Sequence, residues 1–243
     1  MQTSESCSGV QELSDQIHSD TLLRFDGVLV IVGGGAVDEA LLRALVEGGA
    51  SVIAADGGAD DCALAGIVPQ AIIGDMDSLE DQDTWATKTR IIKIEEQLTT
   101  DFEKCLYSSK APVTIALGMT GKRFDHTLAA LDCVTRFARK RQIILVDEKD
   151  IALALSGEFT FPIEVGDRVS VHPLGKVSFA RSTGLGYPLD GLTLEQGVRT
   201  GTSNFATNSI VSIVPQTGDQ TPWLLLVDRK HLTDLTAHLL PGT

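Results

Sequence analysis

The sequence predicts a mixed α/β chain: a parallel sheet with helices on both faces, followed by an all-β sandwich. Three observations carry this prediction. Apolar, β-branched runs alternate with helical patterns between residues 28 and 146, as expected of strands buried on both faces and joined by crossover helices. After Asp150 helical periodicity disappears until the last residues, and short strand-like runs between Gly, Pro and Asp turns replace it. The charge also divides: residues 1–150 hold 25 acids and 14 bases, residues 151–243 only 8 and 6. We therefore place a loose polar arm at 1–25, an α/β domain at 26–150 and a β-sandwich domain at 151–243.

The arm lacks a clear period, apart from a short helical pattern around Leu13–Ile17. Val28–Val32 is a continuous apolar strand. Gly33-Gly34-Gly35 follows it, then a helix from Ala36 to Glu47 closed by Gly48-Gly49. Ser51–Ala55 is a second strand, and a short helix after Asp56-Gly57-Gly58 stops near Gly66. Ala71–Ile73 leads into Gly74-Asp75-Met76-Asp77-Ser78. Ile91–Ile94 is the next strand, and Thr100 opens a helix with Glu103 positioned for a capping box. Val113–Leu117 precedes an amphipathic helix whose stripe is Phe124, Leu128, Leu131, Val134 and Phe137. Arg136, Arg139, Lys140 and Arg141 suit the negative end of its dipole. Ile143–Val146 completes the series. Glu158–Glu164, Arg168–His172, Lys176–Ala180, Ile210–Val214 and Trp223–Val227 are the strands of the β half.

Composition limits the function. The 243 residues carry a net charge of −13, and 43% are hydrophobic. An acidic chain of this kind lacks the basic face that nucleic acid or anionic lipid requires. No apolar run reaches the length of a membrane helix, and the first twenty residues carry acids but no Lys or Arg, the reverse of a signal peptide. Cys7, Cys62, Cys105 and Cys133 form neither a CxxC nor a metal spacing, which predicts free thiols in a cytoplasmic protein.

The chemistry is expected beyond the carboxyl ends of the parallel strands, where open α/β sheets bind ligands. Asp56, Asp75, Asp77, Asp101 and Asp125 all fall in loops at that edge. Each alone reads as a turn residue. Clustered, unpaired carboxylates repel, and a hard divalent cation such as Mg²⁺ removes that cost while binding substrate phosphates. Lys122 and Arg123 stand beside this rim, placed to hold phosphate oxygens. The glycine runs are weaker signals. Asp38 stands where a dinucleotide GxGxxG needs Gly, and Gly118–Arg123 misses the Walker spacing and its Ser or Thr. His126 reads as a structural histidine. The acidic rim would equally serve a pyrophosphokinase acting on another alcohol, such as a hydroxymethylpterin, or a nucleotide-binding sensor without turnover.

Four segments in this order and spacing carry a family resemblance: Ala55-Asp56-Gly57-Gly58-Ala59, Gly74–Ser78, Thr100-Asp101-Phe102-Glu103-Lys104 and Gly121-Lys122-Arg123-Phe124-Asp125-His126. With Thr183–Leu189 and Gly201-Thr202-Ser203-Asn204 downstream, the chain strongly resembles thiamine pyrophosphokinases from about residue 28 to 227. The resemblance implies transfer of a pyrophosphoryl group from ATP to the hydroxyl of thiamine, releasing AMP, in a cytoplasmic homodimer. It implies that Asp75, Asp77 and Asp101 handle Mg²⁺ and the phosphates, with Gln97 near the reacting groups. Asp56, Gly57, Gly58, Thr100, Lys122, Arg123 and Asp125 would serve ATP; Thr202, Ser203 and Asn204 would serve thiamine. Leu98 stands where the family often has Asp, and Phe205 where many relatives have Glu. Trp223 is open to two readings, a stacking face for a pyrimidine or a core residue.

Overall fold

The computed structural model describes residues 23–241. Cys7 and the helix expected at Leu13–Ile17 lie outside the described residues. In chain order the first half comprises β1 (Leu23–Arg24), β2 (Val28–Val32), α1 (Glu39–Glu47), β3 (Ser51–Ala55), α2 (Gly58–Leu64), β4 (Ala71–Gly74) and α3 (Gln82–Ala86). It continues with β5 (Arg90–Lys93), α4 (Asp101–Ser108), β6 (Ser109–Lys110), β7 (Val113–Leu117), α5 (Phe124–Phe137) and β8 (Gln142–Val146). The second half comprises β9 (Asp150–Leu155), β10 (Phe159–Pro162), β11 (Arg168–Pro173), β12 (Val177–Thr183) and β13 (Thr193–Leu194). Then come β14 (Gly201–Phe205), β15 (Ile210–Pro215), β16 (Trp223–Asp228) and α6 (Leu232–Leu239). The end of the expected arm is already paired: β1 runs parallel to β6.

Ten strands form one sheet, in the order β14-β11-β16-β9-β8-β7-β2-β3-β4-β5. The six from β8 to β5 are parallel. The remaining four join antiparallel. A second sheet, β10-β15-β12-β13, is antiparallel throughout. Main-chain pairing runs straight through the expected boundary at residue 150. Asp147 N–H donates to the Asp150 carbonyl at 2.9 Å, and this tight turn sends β9 back along β8. One layer of the β half is thus an extension of the parallel sheet, and the four-stranded sheet packs against it.

Alternation along the strands sorts the core onto two faces. Val30, Val32, Val52, Ala54, Ile72 and Ile115 face Leu42 of α1, Ala59 and Cys62 of α2 and Trp85 of α3. Leu29, Ile31, Ile53, Ile73 and Ala116 face Phe102, Cys105 and Leu106 of α4 and Ala130, Cys133 and Val134 of α5. Helices therefore cover both faces of the parallel region, as the sequence predicts. The first cluster continues through Trp223, Leu225 and Val171 to Phe161, Phe179 and Ile213 of the second sheet. Trp223 is fully buried, edge-on to Phe179 at 5.9 Å, and its indole N–H donates to the Gly157 carbonyl at 3.3 Å. It is a core residue, which decides between the two readings.

Two helices depart from their sequence patterns. α1 starts at Glu39 rather than Ala36, with Asp38 as N-cap accepting from Leu41 N–H at 3.1 Å. The preceding residues are tied elsewhere: Gly35 N–H donates to the Gly118 carbonyl at 2.7 Å and Ala36 N–H to Thr120 at 2.9 Å. A Cβ at Gly35 would lie 2.3 Å from Gly118 O. The two glycine-rich segments meet each other at the switch point between β2 and β7. In α5, Phe124 and Leu128 are 75% and 51% exposed, so the apolar stripe is buried only from its third turn onward. Arg141 does not serve the dipole of α5. It is half-buried and donates to the carbonyls of Leu106 and, at 2.8 Å, Ser109, closing the end of α4.

Candidate active site

Because β3, β4 and β5 are adjacent and parallel, the loops that leave them open side by side. Asp56 leaves β3, Asp75–Ser78 leave β4, and Asp101 opens α4 after β5. Asp56 takes a left-handed φ of 44°, uncommon for a residue with a Cβ. Its N–H donates to the Ile73 carbonyl at 3.0 Å, and its Oδ2 accepts from Ser78 N–H at 3.0 Å. Gly74 makes the approach of the acids feasible. A Cβ there would stand 2.8 Å from Asp56 Cβ and 3.0 Å from Asp101 Oδ1.

Asp56, Asp75 and Asp101 each offer an oxygen within 4.8 Å of the others. Asp56 is 2% exposed, and its Oδ1 is buried without a hydrogen-bond partner. Leaving a buried acceptor unpaired costs about 1–3 kcal/mol, more for a charged group. Burial pushes the Asp56 carboxyl up to about 6, and the charges of Asp101 and Asp77 add to the rise. Burial raises Asp101 too, against the opposing effect of Lys104. Asp75 is held below the usual carboxylate range by the Gln97 amide, whose Nε2 donates to Asp75 Oδ2 at 2.6 Å. Three hard oxygen donors, one of them buried and unpartnered, fit a divalent cation such as Mg²⁺.

The other expected residues fall into distinct places. Asp77 lies outside the close trio: its Oδ1 accepts from Ser78 Oγ at 2.9 Å. With Asp75, Lys93, Glu95 and Gln97 it lines an adjoining cleft of ≈ 290 Å³. Gly57 backs against Ser78, and Gly58 begins α2. Thr100 caps α4, accepting from Glu103 N–H at 3.3 Å; the reciprocal half of the capping box is absent because Glu103 pairs with Arg136. Arg123 and Asp125 chelate each other at 3.1 and 2.6 Å on the exposed β7–α5 loop. Lys122, also exposed, acts on Asp61 of α2.

In the β half, Thr202 and Ser203 are exposed on β14, an edge strand, and Ser203 has φ 61°. Asn204 differs. It is buried, its Oδ1 accepts from Tyr187 and Phe205 N–H at 2.9 Å, and its Nδ2 donates to the Tyr187 carbonyl at 2.7 Å. This engagement pins the β12–β13 connection to β14. Phe205 packs edge-on against Tyr187, and Leu98 is exposed.

Sequence reading missed two polar residues here. Glu96 ties the β5–α4 loop, accepting from Leu98 N–H at 2.7 Å, Thr99 N–H at 3.1 Å and Tyr107 OH at 3.0 Å, and so sets the stem of Gln97. Lys104 lies buried under Asp101, with Nζ 3.0 Å from Oδ1. The i,i+3 spacing of Asp101 and Lys104 is the signal that could have found the second.

Residues 42–146 match the family model for the thiamin pyrophosphokinase catalytic domain. Thiamin pyrophosphokinase 1 of Caenorhabditis elegans is 29% identical over 159 residues, 59% of this chain and 65% of that protein. Thiamine pyrophosphokinase 2 of Arabidopsis thaliana is 30% identical over 167 residues, 60% of this chain and 61% of that protein. The chain thus spans a little under two thirds of these relatives. The crystal structure of thiamin pyrophosphokinase from Geobacillus thermodenitrificans superposes with a TM-score of 0.70 at 22% identity, covering 83% of this chain and 97% of that one, and it shares the fold.

Proposed function

We infer that this chain, by these matches a member of the thiamine pyrophosphokinase family, transfers the β,γ-pyrophosphoryl group of ATP to the hydroxyl of thiamine. The thiamine oxygen bonds to the β-phosphorus, the bond from that phosphorus to the α,β-bridging oxygen breaks, and AMP leaves. The observation that carries this reading is the trio Asp56, Asp75 and Asp101 around a buried unpartnered oxygen, inside the matched segment. When bound, Mg²⁺ would offset the charge of the phosphates and of these carboxylates.

The protein's own work is alignment and charge. Gln97 holds the Asp75 carboxyl below the usual carboxylate range and orients it. Asp77 extends the acidic surface into the adjoining cleft. Gly57, Gly58 and Thr100 present backbone at helix starts next to the trio. Lys122 and Arg123 are the exposed cations assigned to phosphate, Arg123 being oriented by Asp125. We assign the thiamine end to the exposed Thr202 and Ser203, so that residues 26–150 serve ATP and metal while residues 151–243 serve the acceptor. Thiamine carries a permanent positive charge, which an acidic protein attracts. A homodimer in the cytoplasm completes the reading. The dimer is carried over from the resemblance, and the cytoplasm is in keeping with the buried free thiols Cys62, Cys105 and Cys133.

The test is incubation with ATP, Mg²⁺ and thiamine, with EDTA and no-thiamine controls. AMP and thiamine diphosphate, both dependent on thiamine and metal, are expected. ADP with thiamine monophosphate would refute the transferred group. No turnover with thiamine, but AMP release with another alcohol, would refute the acceptor. Sedimentation at micromolar concentration tests the dimer, and a monomer would refute it.

A further inference from the structure

Lys104 is a charged side chain that the proposed reaction does not use. It sits in the first turns of α4, is 2% exposed, and ranks among the largest fully buried side chains of the described residues. An ammonium group at this depth is costly unless it is paired and hydrogen-bonded. Its Nζ donates to Asp101 Oδ1 at 3.0 Å, and its charge also acts on Asp75. It therefore pairs directly with one of the three clustered carboxylates and lies close enough for its charge to favour the ionised form of a second.

We propose that Lys104 is the resident counter-cation of the acidic site: a positioning residue that holds Asp101 and Asp75 together before a divalent ion arrives. This rests on the metal reading above. It has a consequence with two opposite signs. Removing the charge loosens the metal-free site, because the carboxylates then repel without compensation. The same removal makes the site more negative, so a divalent cation binds it more tightly. A lysine that merely fills space would produce the first effect without the second.

The test uses the full chain, with Lys104→Met as a neutral side chain of similar length and Lys104→Arg as the charge-conserving control. Melting in EDTA should fall by roughly 10 °C in Lys104→Met, the scale of breaking one buried ion pair in a chain of this size. Calorimetric titration with Mg²⁺ alone should give a Kd about tenfold tighter than wild type, from the lost like charge at close range. Lys104→Arg should stay within about twofold of wild type. An unchanged or weaker Mg²⁺ Kd in folded Lys104→Met would overturn the proposal. If Lys104→Met does not fold, Asp101→Asn/Lys104→Met should, because a neutral pair leaves no unpaired buried charge; a double variant as unstable as the single would also overturn it. A wild type that binds no Mg²⁺ would refute the metal reading instead, and the comparison of single and double variants in EDTA would still decide the role of Lys104.

Discussion

Asp56→Asn should stabilise the metal-free protein while it removes function. The wild-type carboxyl is 2% exposed, and burial beside Asp101 and Asp77 raises it from 3.8 to about 6. A carboxyl whose folded value is raised binds its proton more readily in the native state, so stability falls as pH rises from about 4 to about 6 and stays low above that. A rise from 3.8 to about 6 corresponds to roughly 3 kcal/mol at most. Asn keeps the shape and still accepts from Ser78 N–H, but it carries no charge to bury. In EDTA at pH 7.5 the variant should therefore melt higher by up to about 6–12 °C. Near pH 4, where the wild-type group is protonated, the difference should vanish. Adding Mg²⁺ should raise the melting temperature of the wild type and leave the variant unmoved. Paired thermal melts across pH 4–8, with EDTA or Mg²⁺, read all of this. A variant less stable than wild type at pH 7.5 in EDTA, or a difference that ignores pH, would refute the argument that Asp56 stores electrostatic strain for a cation.

Other outcomes follow from the same geometry. Asp75→Asn should weaken Mg²⁺ binding about a hundredfold, whereas Asp77→Asn, outside the trio, should weaken it about tenfold or less; equal losses by calorimetry would return Asp77 to the ligand set. Gly74→Ala should force Asp56 and Asp101 apart and cost about 1–3 kcal/mol of stability with at least tenfold in Mg²⁺ affinity; an unaltered Mg²⁺ titration would contradict the close approach. Asn204→Ala should cost about 2–3 kcal/mol in denaturant unfolding and spare the KM for ATP, since it loses three buried hydrogen bonds far from the acids in sequence. Ser203→Ala should raise the KM for thiamine more than that for ATP, and equal effects would move it out of the acceptor site.

The parallel strands were legible because both of their faces are buried, so Val28–Val32, Ser51–Ala55 and Val113–Leu117 read as unbroken apolar runs. The rim was legible for a related reason: Asp56 and Asp75 directly follow such runs. The rest depended on long-range contacts. Asp150–Leu155 joined the sheet through a tight turn, and its alternating Ala and Leu carry little β-branched signal. Phe124 and Leu128 fit the helical stripe, yet both are exposed, because a stripe fixes a helix face and not how much of it the core covers. The membership of Asp56 rather than Asp77 in the trio depends on two left-handed residues, Asp56 and Met76, whose geometry no spacing rule conveys. Asn204 is assigned with Thr202 and Ser203 by resemblance alone; that it turns inward while they are exposed follows from its contacts with Tyr187, seventeen residues away in sequence.

The uninterrupted sheet across residue 150 has a mechanical implication. Strand β9, itself backed by β16, seals what would otherwise be the open side of β8, so neither half owns a complete boundary. A chain cut there would expose the β9-facing edge of Ile143–Val146, a template for association with other copies. The junction also leaves no pliable linker about which one half could swing over the other. Access to the acidic rim must then be governed by its own loops, and heat should melt both halves as a single cooperative block.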